Sequence, residues 1–233
     1  FLPHQRGAAV KRKIAIAIPT RDNVAIETTF SLANMVADFT AKFCARGEAD
    51  LCFVTCAGTL LPQMRNTLVE ESIKIGATHI LWVDSDMRFP RDALERLLKH
   101  NAPVVGANYP QRKSPVKPTA ANLKDLWIYE EGQTGLEPVK FLGHGLCLVE
   151  TAVYEALEKP WYMLAWSQKK ECIVGEDVFF LGEVRKRLEC PVMLDHDLSR
   201  EVSHIGFHEY TWKDAFDDFA EVKATQTEAG DDA

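Results

Sequence analysis

Short apolar runs closed by turn residues alternate with stretches of helical periodicity over the first hundred residues. Residues 13–18 form an apolar run ended by Pro19, the pattern of a buried strand. Residues 25–43 place Ile26, Phe30, Ala33, Val36 and Ala37 at helical spacing. A second strand is expected over 51–55. A second helix is expected from Leu61-Pro62 to about Ile75, with Gly76 at the usual glycine stop. The fully apolar run 80–83 predicts a third strand. Pro90 is expected to open a helix with Asp92 early and Lys99 and His100 late, an order that suits the helix dipole. Residues 103–106 predict a fourth strand. Strand and helix alternating in this way imply βαβ units, a parallel sheet, and a ligand crevice at the carboxyl ends of its strands.

The texture changes at Asn108. Residues 109–119 carry three prolines together with Arg112, Lys113 and Lys117, and read as an exposed loop. A strand is expected over 146–149 and a short helix over 151–157. Residues 159–174 look irregular and rich in aromatics. A helix over 175–188, a strand over 192–194 and an amphipathic helix over 212–222 (Trp212, Phe216, Phe219) complete the pattern. The tail, 223–233, is expected to be disordered. One domain is expected over 1–222, with a first half at about 13–107 and a second at about 108–210.

Composition narrows the class. The chain of 233 residues is 46% hydrophobic and 26% charged. Its longest apolar runs fall far short of the ~20 residues of a membrane span. The chain opens on Phe1 rather than Met, consistent with a lost start or leader, and shows no signal-peptide pattern. Six scattered cysteines lack zinc-ligand spacing, which points to reduced thiols in a cytoplasm. The net charge of -7 is uneven: residues 1–117 hold 16 Lys and Arg against 11 Asp and Glu, and the rest hold 11 against 23. A phosphate-bearing ligand is better matched to the first half.

The candidate chemistry lies at Asp84-Ser85-Asp86, directly after the third strand. In extended chain, residues two apart point the same way, so both carboxylates can face one ligand. Such hard oxygen donors suit Mg²⁺ or Mn²⁺ held jointly with phosphates. A second Asp-x-Asp, Asp195-His196-Asp197, shows that the pattern alone is weak and that position after a buried strand distinguishes the first.

The runs Ile14–Ile18 with Pro19-Thr20-Arg21, then Arg65-Asn66, then His79–Val83 with Asp84-Ser85-Asp86 resemble the nucleotide-binding half of A-type-fold glycosyltransferases. The family-2-like set of bacteria and phages is the nearest pattern. Gly143-His144-Gly145, Gly175-Glu176-Asp177 and Asp195 through His204 resemble its second half, so the likeness spans about 13–210. It implies a single-domain α/β fold: a mostly parallel central sheet flanked by helices, with a smaller antiparallel part on the acceptor side. It implies that Pro19, Thr20, Arg21 and Asp22 border the nucleoside, and that Arg65 touches phosphate or fixes the loop after the third strand. Asp84 with Ser85 would face ribose or metal-bound water, and Asp84, Asp86 and His204 would make up the site for Mn²⁺ or Mg²⁺. In inverting relatives an acid at Asp177, or its neighbour Glu176, deprotonates the acceptor hydroxyl. Gly143 and Gly145 would let the backbone pass close to the donor sugar; His144 departs from the small residue usual between the two glycines and is expected to touch donor or acceptor, or to be exposed. Trp161, Tyr162 and Trp166 could form a stacking wall.

The implied reaction moves a sugar from a nucleoside diphosphate, a UDP-sugar favoured, to a hydroxyl, with the stereochemistry open. A hydroxymethylated DNA base is a possible acceptor, with Arg112, Lys113, Lys117 and Lys124 as a phosphate track, but the acidic balance disfavours it. The competing readings are a nucleotidyltransferase of related fold and a non-catalytic nucleotide-sugar or carbohydrate-binding module.

Overall fold

The computed structural model describes residues 11–168, 171–206, 211–213 and 215–216. Its first half follows the expected alternation: β1 (Arg12–Thr20), α1 (Ile26–Phe39), β2 (Ala49–Ala57), α2 (Leu61–Lys74), β3 (His79–Val83), β4 (Met87–Arg88), α3 (Ala93–Lys99) and β5 (Val104–Gly106). The α-helix expected over 25–43 ends at Phe39 and widens into a π-helical turn over Thr40–Cys44. Pro90 lies in the turn before α3 rather than inside it, its carbonyl accepting from the Ala93 amide at 3.2 Å.

The second half supplies β6 (Ala121–Asn122), β7 (Leu136–Phe141), β8 (Leu146–Glu150), α4 (Thr151–Glu155), β9 (Ala165–Ser167), β10 (Cys172–Val174), α5 (Glu176–Leu188), β11 (Val192–Asp195), α6 (His196–Ser199) and β12 (Ser203–His204). The stretch over 159–174 is thus not irregular throughout, because β9 and β10 form an antiparallel hairpin. Of the helix expected over 212–222, residues 212–213 and 215–216 are described and helical. The tail from 217 onward lies outside the described residues.

One eight-stranded sheet runs through both halves in the order β2-β1-β3-β8-β5-β11-β7-β6. β1 pairs in parallel with β2 and β3, and β5 with β11. β8 lies antiparallel between β3 and β5, and β7 is antiparallel to β11 and β6. The sheet is therefore mixed at its centre, and antiparallel pairing is not confined to one side. The insertion matters for the site. Because β8 runs backwards, with Val83 opposite Leu146, its leading Gly143-His144-Gly145 arrives at the carboxyl end of β3.

Side chains alternate across this sheet with period two. Ile80 and Trp82 pack with Leu68, Tyr154 and Phe180 on one face. Leu81 and Val83 pack with Ile14, Ile16, Met35, Leu94 and Leu97 on the other. Both faces are covered by helices, which is why β1 and β3 read as unbroken apolar runs. Among the described residues, no helix is long and apolar enough to cross a membrane.

Candidate functional site

Three segments are fastened around Asp84-Ser85-Asp86. The Asp84 amide donates to the Gly145 carbonyl at 3.0 Å, the Ala25 amide to the Ser85 carbonyl at 2.8 Å, and the Ile205 amide to the Asp86 carbonyl at 2.7 Å. The start of α1, the entry to β8 and the end of β12 thereby meet at the carboxyl edge of β3.

The two aspartates have different surroundings. Asp84 Oδ1 accepts from Arg65 Nη2 at 2.9 Å, and the Nε of the same guanidinium reaches Glu176 Oε1 at 3.1 Å. Arg65 is 2% exposed and lies over the Trp82 ring, 5.0 Å from its centroid. It is a buried clamp between β3 and α5, so of the two roles considered for it, fixing the loop after β3 matches its position. Burial opposes its charge, but Asp84 and Glu176 outweigh that and raise its pKa above the ordinary arginine value.

Asp86 has other partners, and Ser85-Asp86 lie in a turn rather than in the extended chain expected to point both carboxylates at one ligand. Its Oδ2 pairs with Arg112 Nη1 at 2.8 Å, and its Oδ1 lies 3.3 Å from His204 Nε2. β12 pairs antiparallel with β4, His204 opposite Met87, and this pairing brings the distant histidine to Asp86. Burial alone would push the Asp86 carboxyl up. The His204 hydrogen bond, and the charges of His204 and Arg112, bring it below the usual value instead. Arg112, considered for a phosphate track, is committed to Asp86 and the Ile205 carbonyl.

At the start of α5, Glu176 is buried and held by Arg65. Asp177 is half-buried, its Oδ1 accepting from the Val178 amide at 2.7 Å. Burial, then the charges of Glu176 and Asp84, push the Asp177 carboxyl up to about 6, against the opposing pull of Arg65. A carboxylate with a pKa just below neutral is poised to accept a proton at physiological pH.

The space beside the two glycines before β8, expected to lie against a sugar, is taken by Tyr109. A Cβ at Gly143 or Gly145 would fall 2.4 or 2.6 Å from the Tyr109 hydroxyl oxygen, which accepts the Gly145 amide hydrogen bond at 2.8 Å. The same ring packs edge-on to His204, centroids 5.5 Å apart. Tyr109 was missed in the sequence, although its place just past β5, at the same sheet edge as Asp84, was a usable signal.

His144 is neither exposed nor at an open surface. It is 1% exposed, with Nδ1 3.2 Å from the Tyr162 hydroxyl and the ring among Trp82, Tyr162 and Phe180. Burial, then Arg65, holds its pKa well below the ordinary histidine value. Trp161 and Tyr162 are likewise core residues, whereas Trp166 is 61% exposed.

Around the end of β1, Pro19 is buried, and the Thr20 hydroxyl donates to the Asn23 carbonyl at 2.8 Å. Arg21 and Asp22 form an exposed pair at 3.3 Å. The second Asp-x-Asp has structural partners. Asp195 caps α6 by accepting from the Leu198 amide, and His196 bridges Glu130 and Glu137 at 2.8 and 3.0 Å.

Among the described residues, no group of three or more His, Cys, Asp or Glu side chains is gathered to hold a metal ion. Asp86 and His204 are the two side chains whose atoms could share a cation in place of their mutual hydrogen bond. Their facing atoms stand 3.3 Å apart, close to the ~3 Å between adjacent ligands of an octahedral ion with bonds of ~2.1 Å. A carboxylate oxygen beside an imidazole suits Mn²⁺, and such ions complete their shells with phosphate oxygens and water.

No family model matches the chain, and no curated protein does. Among solved structures it is similar to A197 from STIV, with a TM-score of 0.53 at 13% identity, covering 84% of this chain and 86% of that one. The likeness is one of fold: a mixed α/β architecture with a large central sheet flanked by helices.

Proposed function

We propose that the chain is a metal-dependent glycosyltransferase that moves a sugar from a nucleoside diphosphate, a UDP-sugar favoured, to a hydroxyl. The observation that carries the reading is the pairing of Asp86 with His204 beside Asp84, at the carboxyl edge of β3. Asp177 supports it, being raised to about 6 partly by the charge of Asp84.

In this reading Asp86 and His204 hold Mn²⁺ or Mg²⁺, which when bound supplies charge neutralisation for the departing diphosphate. Arg112 keeps one oxygen of Asp86 engaged and leaves the other turned toward His204. Arg65 ties Asp84 to Glu176, so the donor side and the start of α5 keep a fixed spacing. Asp177 accepts the proton of the attacking acceptor hydroxyl. The exposed Arg21 and Asp22 border the nucleoside.

The test is release of UDP or GDP from a panel of nucleotide-sugars with and without Mn²⁺. Mn²⁺-dependent release that disappears in Asp86→Ala supports the transferase. Tight nucleotide-sugar binding without release, across acceptors, would make the protein a binding module instead. Release of pyrophosphate from nucleoside triphosphates would favour a nucleotidyltransferase.

A further inference from the structure

The two edges of the eight-stranded sheet are built differently. At one end, β6 is two residues long, and its register with β7 shifts between Ala121 and Asn122. Ala121 also bridges to Trp127, so its second side is taken by the loop that follows. A strand that is short, bulged and covered gives a further strand nothing to join. At the other end, β2 spans nine residues and keeps an unbroken register with β1, from Arg12 opposite Ala49 to Thr20 opposite Ala57. Among the described residues it has no second partner strand. It holds no proline, lysine or arginine, and its one charged residue, Asp50, is paired with Lys11 at 2.7 Å. β2 therefore lacks the devices that ordinarily guard a sheet edge.

The chemistry of that edge selects its occupant. A strand paired on one side presents a row of main-chain N–H and C=O groups, here ~30 Å long, and another extended chain satisfies such a row in full. Phe53 narrows which chain. It is the middle residue of the nine and 53% exposed, on the same face as the exposed Thr55 and Ala57. Two copies of β2 running antiparallel about a two-fold axis through Phe53 give every residue of each strand a counterpart. Phe53 meets Phe53, Cys52 meets Val54, Leu51 meets Thr55, and Asp50 meets Cys56. An aromatic pair sits on the axis, and no like charges are opposed. Such a pair adds about eight to ten main-chain hydrogen bonds. Moving the axis to Cys52 would set Cys56 and Ala57 against Glu48 and Gly47, which lie outside the strand.

We propose that β2 pairs with β2 of a second copy of this chain, joining the two eight-stranded sheets into one across Phe53. Antiparallel joining reverses the partner's sheet. The carboxyl edges of β1 and β3 in the two copies then face opposite ways, and each Asp84-Ser85-Asp86 site stays clear of the other. The pairing is independent of the transferase reading and of any ligand at that site.

The experiment is sedimentation velocity of the full chain at about 1 μM to about 100 μM, with Phe53→Lys and Phe53→Glu as variants. The expected result is a wild-type dimer at the upper concentration. Each variant sets two like charges face to face on the axis and should weaken association about tenfold or more. An equal mixture of the two should restore the dimer, because lysine then meets glutamate. Amide hydrogen exchange on the wild type gives a second reading that needs no variant to fold: amides of residues 49–57 should be more protected at the higher concentration. The proposal is overturned by a wild type that stays monomeric, even if its edge takes up a different extended peptide. It is also overturned by a dimer that both variants leave intact, or by protection that rises elsewhere and not in β2.

Discussion

Replacing Arg65 with methionine removes the buried cation that joins Asp84 to Glu176 while keeping most of the apolar stem. The guanidinium is 2% exposed, and its partners' side chains are 26% and 11% exposed. Breaking a buried pair from one side costs about 3–5 kcal/mol, because the remaining charges lose their counter-ion. That is a large part of the ~5–15 kcal/mol of a typical fold, and corresponds to a melting temperature lower by on the order of 10 °C. The loss should depend on pH in a defined direction. Arg65 pulls down the Asp177 carboxyl, which even so sits at about 6. Without Arg65 that carboxyl rises further, so the folded variant gains a proton more readily than the wild type as pH falls. The penalty is full near pH 8 and shrinks through pH 6 and below. Urea unfolding followed by circular dichroism at pH 8 and pH 5.5 measures it. Arg65→Lys, which keeps the charge but cannot present a fork to two carboxylates, should fall between. A loss under about 1 kcal/mol at pH 8, or one equal at both pH values, would refute the buried-clamp reasoning.

Asp177→Asn should abolish transfer yet stabilise the fold above pH 6. Raising a carboxyl from 3.8 to about 6 costs up to about 3 kcal/mol when it is ionised, and partial solvent contact reduces this to roughly 1–2 kcal/mol. The gain should fall away as pH drops from 6 toward about 3, where the wild-type acid is protonated in both states; thermal melts across about pH 3–8 check this. Gly145→Ala puts a Cβ 2.6 Å from the Tyr109 hydroxyl oxygen and should destabilise by about 1–3 kcal/mol, read in the same melts. His196, whose pKa is raised first by its hydrogen bond to Glu130, contributes stability that is full below about pH 6.5 and lost as pH rises through its folded value. The difference between wild type and His196→Gln should therefore be larger at pH 6 than at pH 9.

β1 and β3, and with them the place of Asp84-Ser85-Asp86 at a strand's carboxyl end, were legible in the sequence because both strands are buried on both faces and so read as unbroken apolar runs. The direction of β8 was not, since a five-residue apolar run carries no information about which way it pairs. β7 was hidden by Pro138 and by polar Glu137 and Lys140 among partly exposed neighbours along Leu136–Phe141, a pattern close to that of a loop. The burial of Arg65 on α2 was not legible, because only its tertiary partners Asp84 and Glu176, far along the chain, enclose it. His144 looked free between two glycines; the small residues in fact let Tyr109 close over them and leave the imidazole inside. The pairing of His204 with Asp86 depends on β12 returning to β4, a contact between two-residue strands that no local pattern announces.

The most direct measurement is calorimetric binding of UDP to the wild type and to Asp86→Ala, each with and without Mn²⁺, with circular dichroism to verify that both are folded. UDP should bind the wild type at least about tenfold tighter with Mn²⁺ than without, and the variant should lose that gain. Equal enhancement by Mn²⁺ in both proteins would mean that the carboxylate beside His204 does not hold the cation.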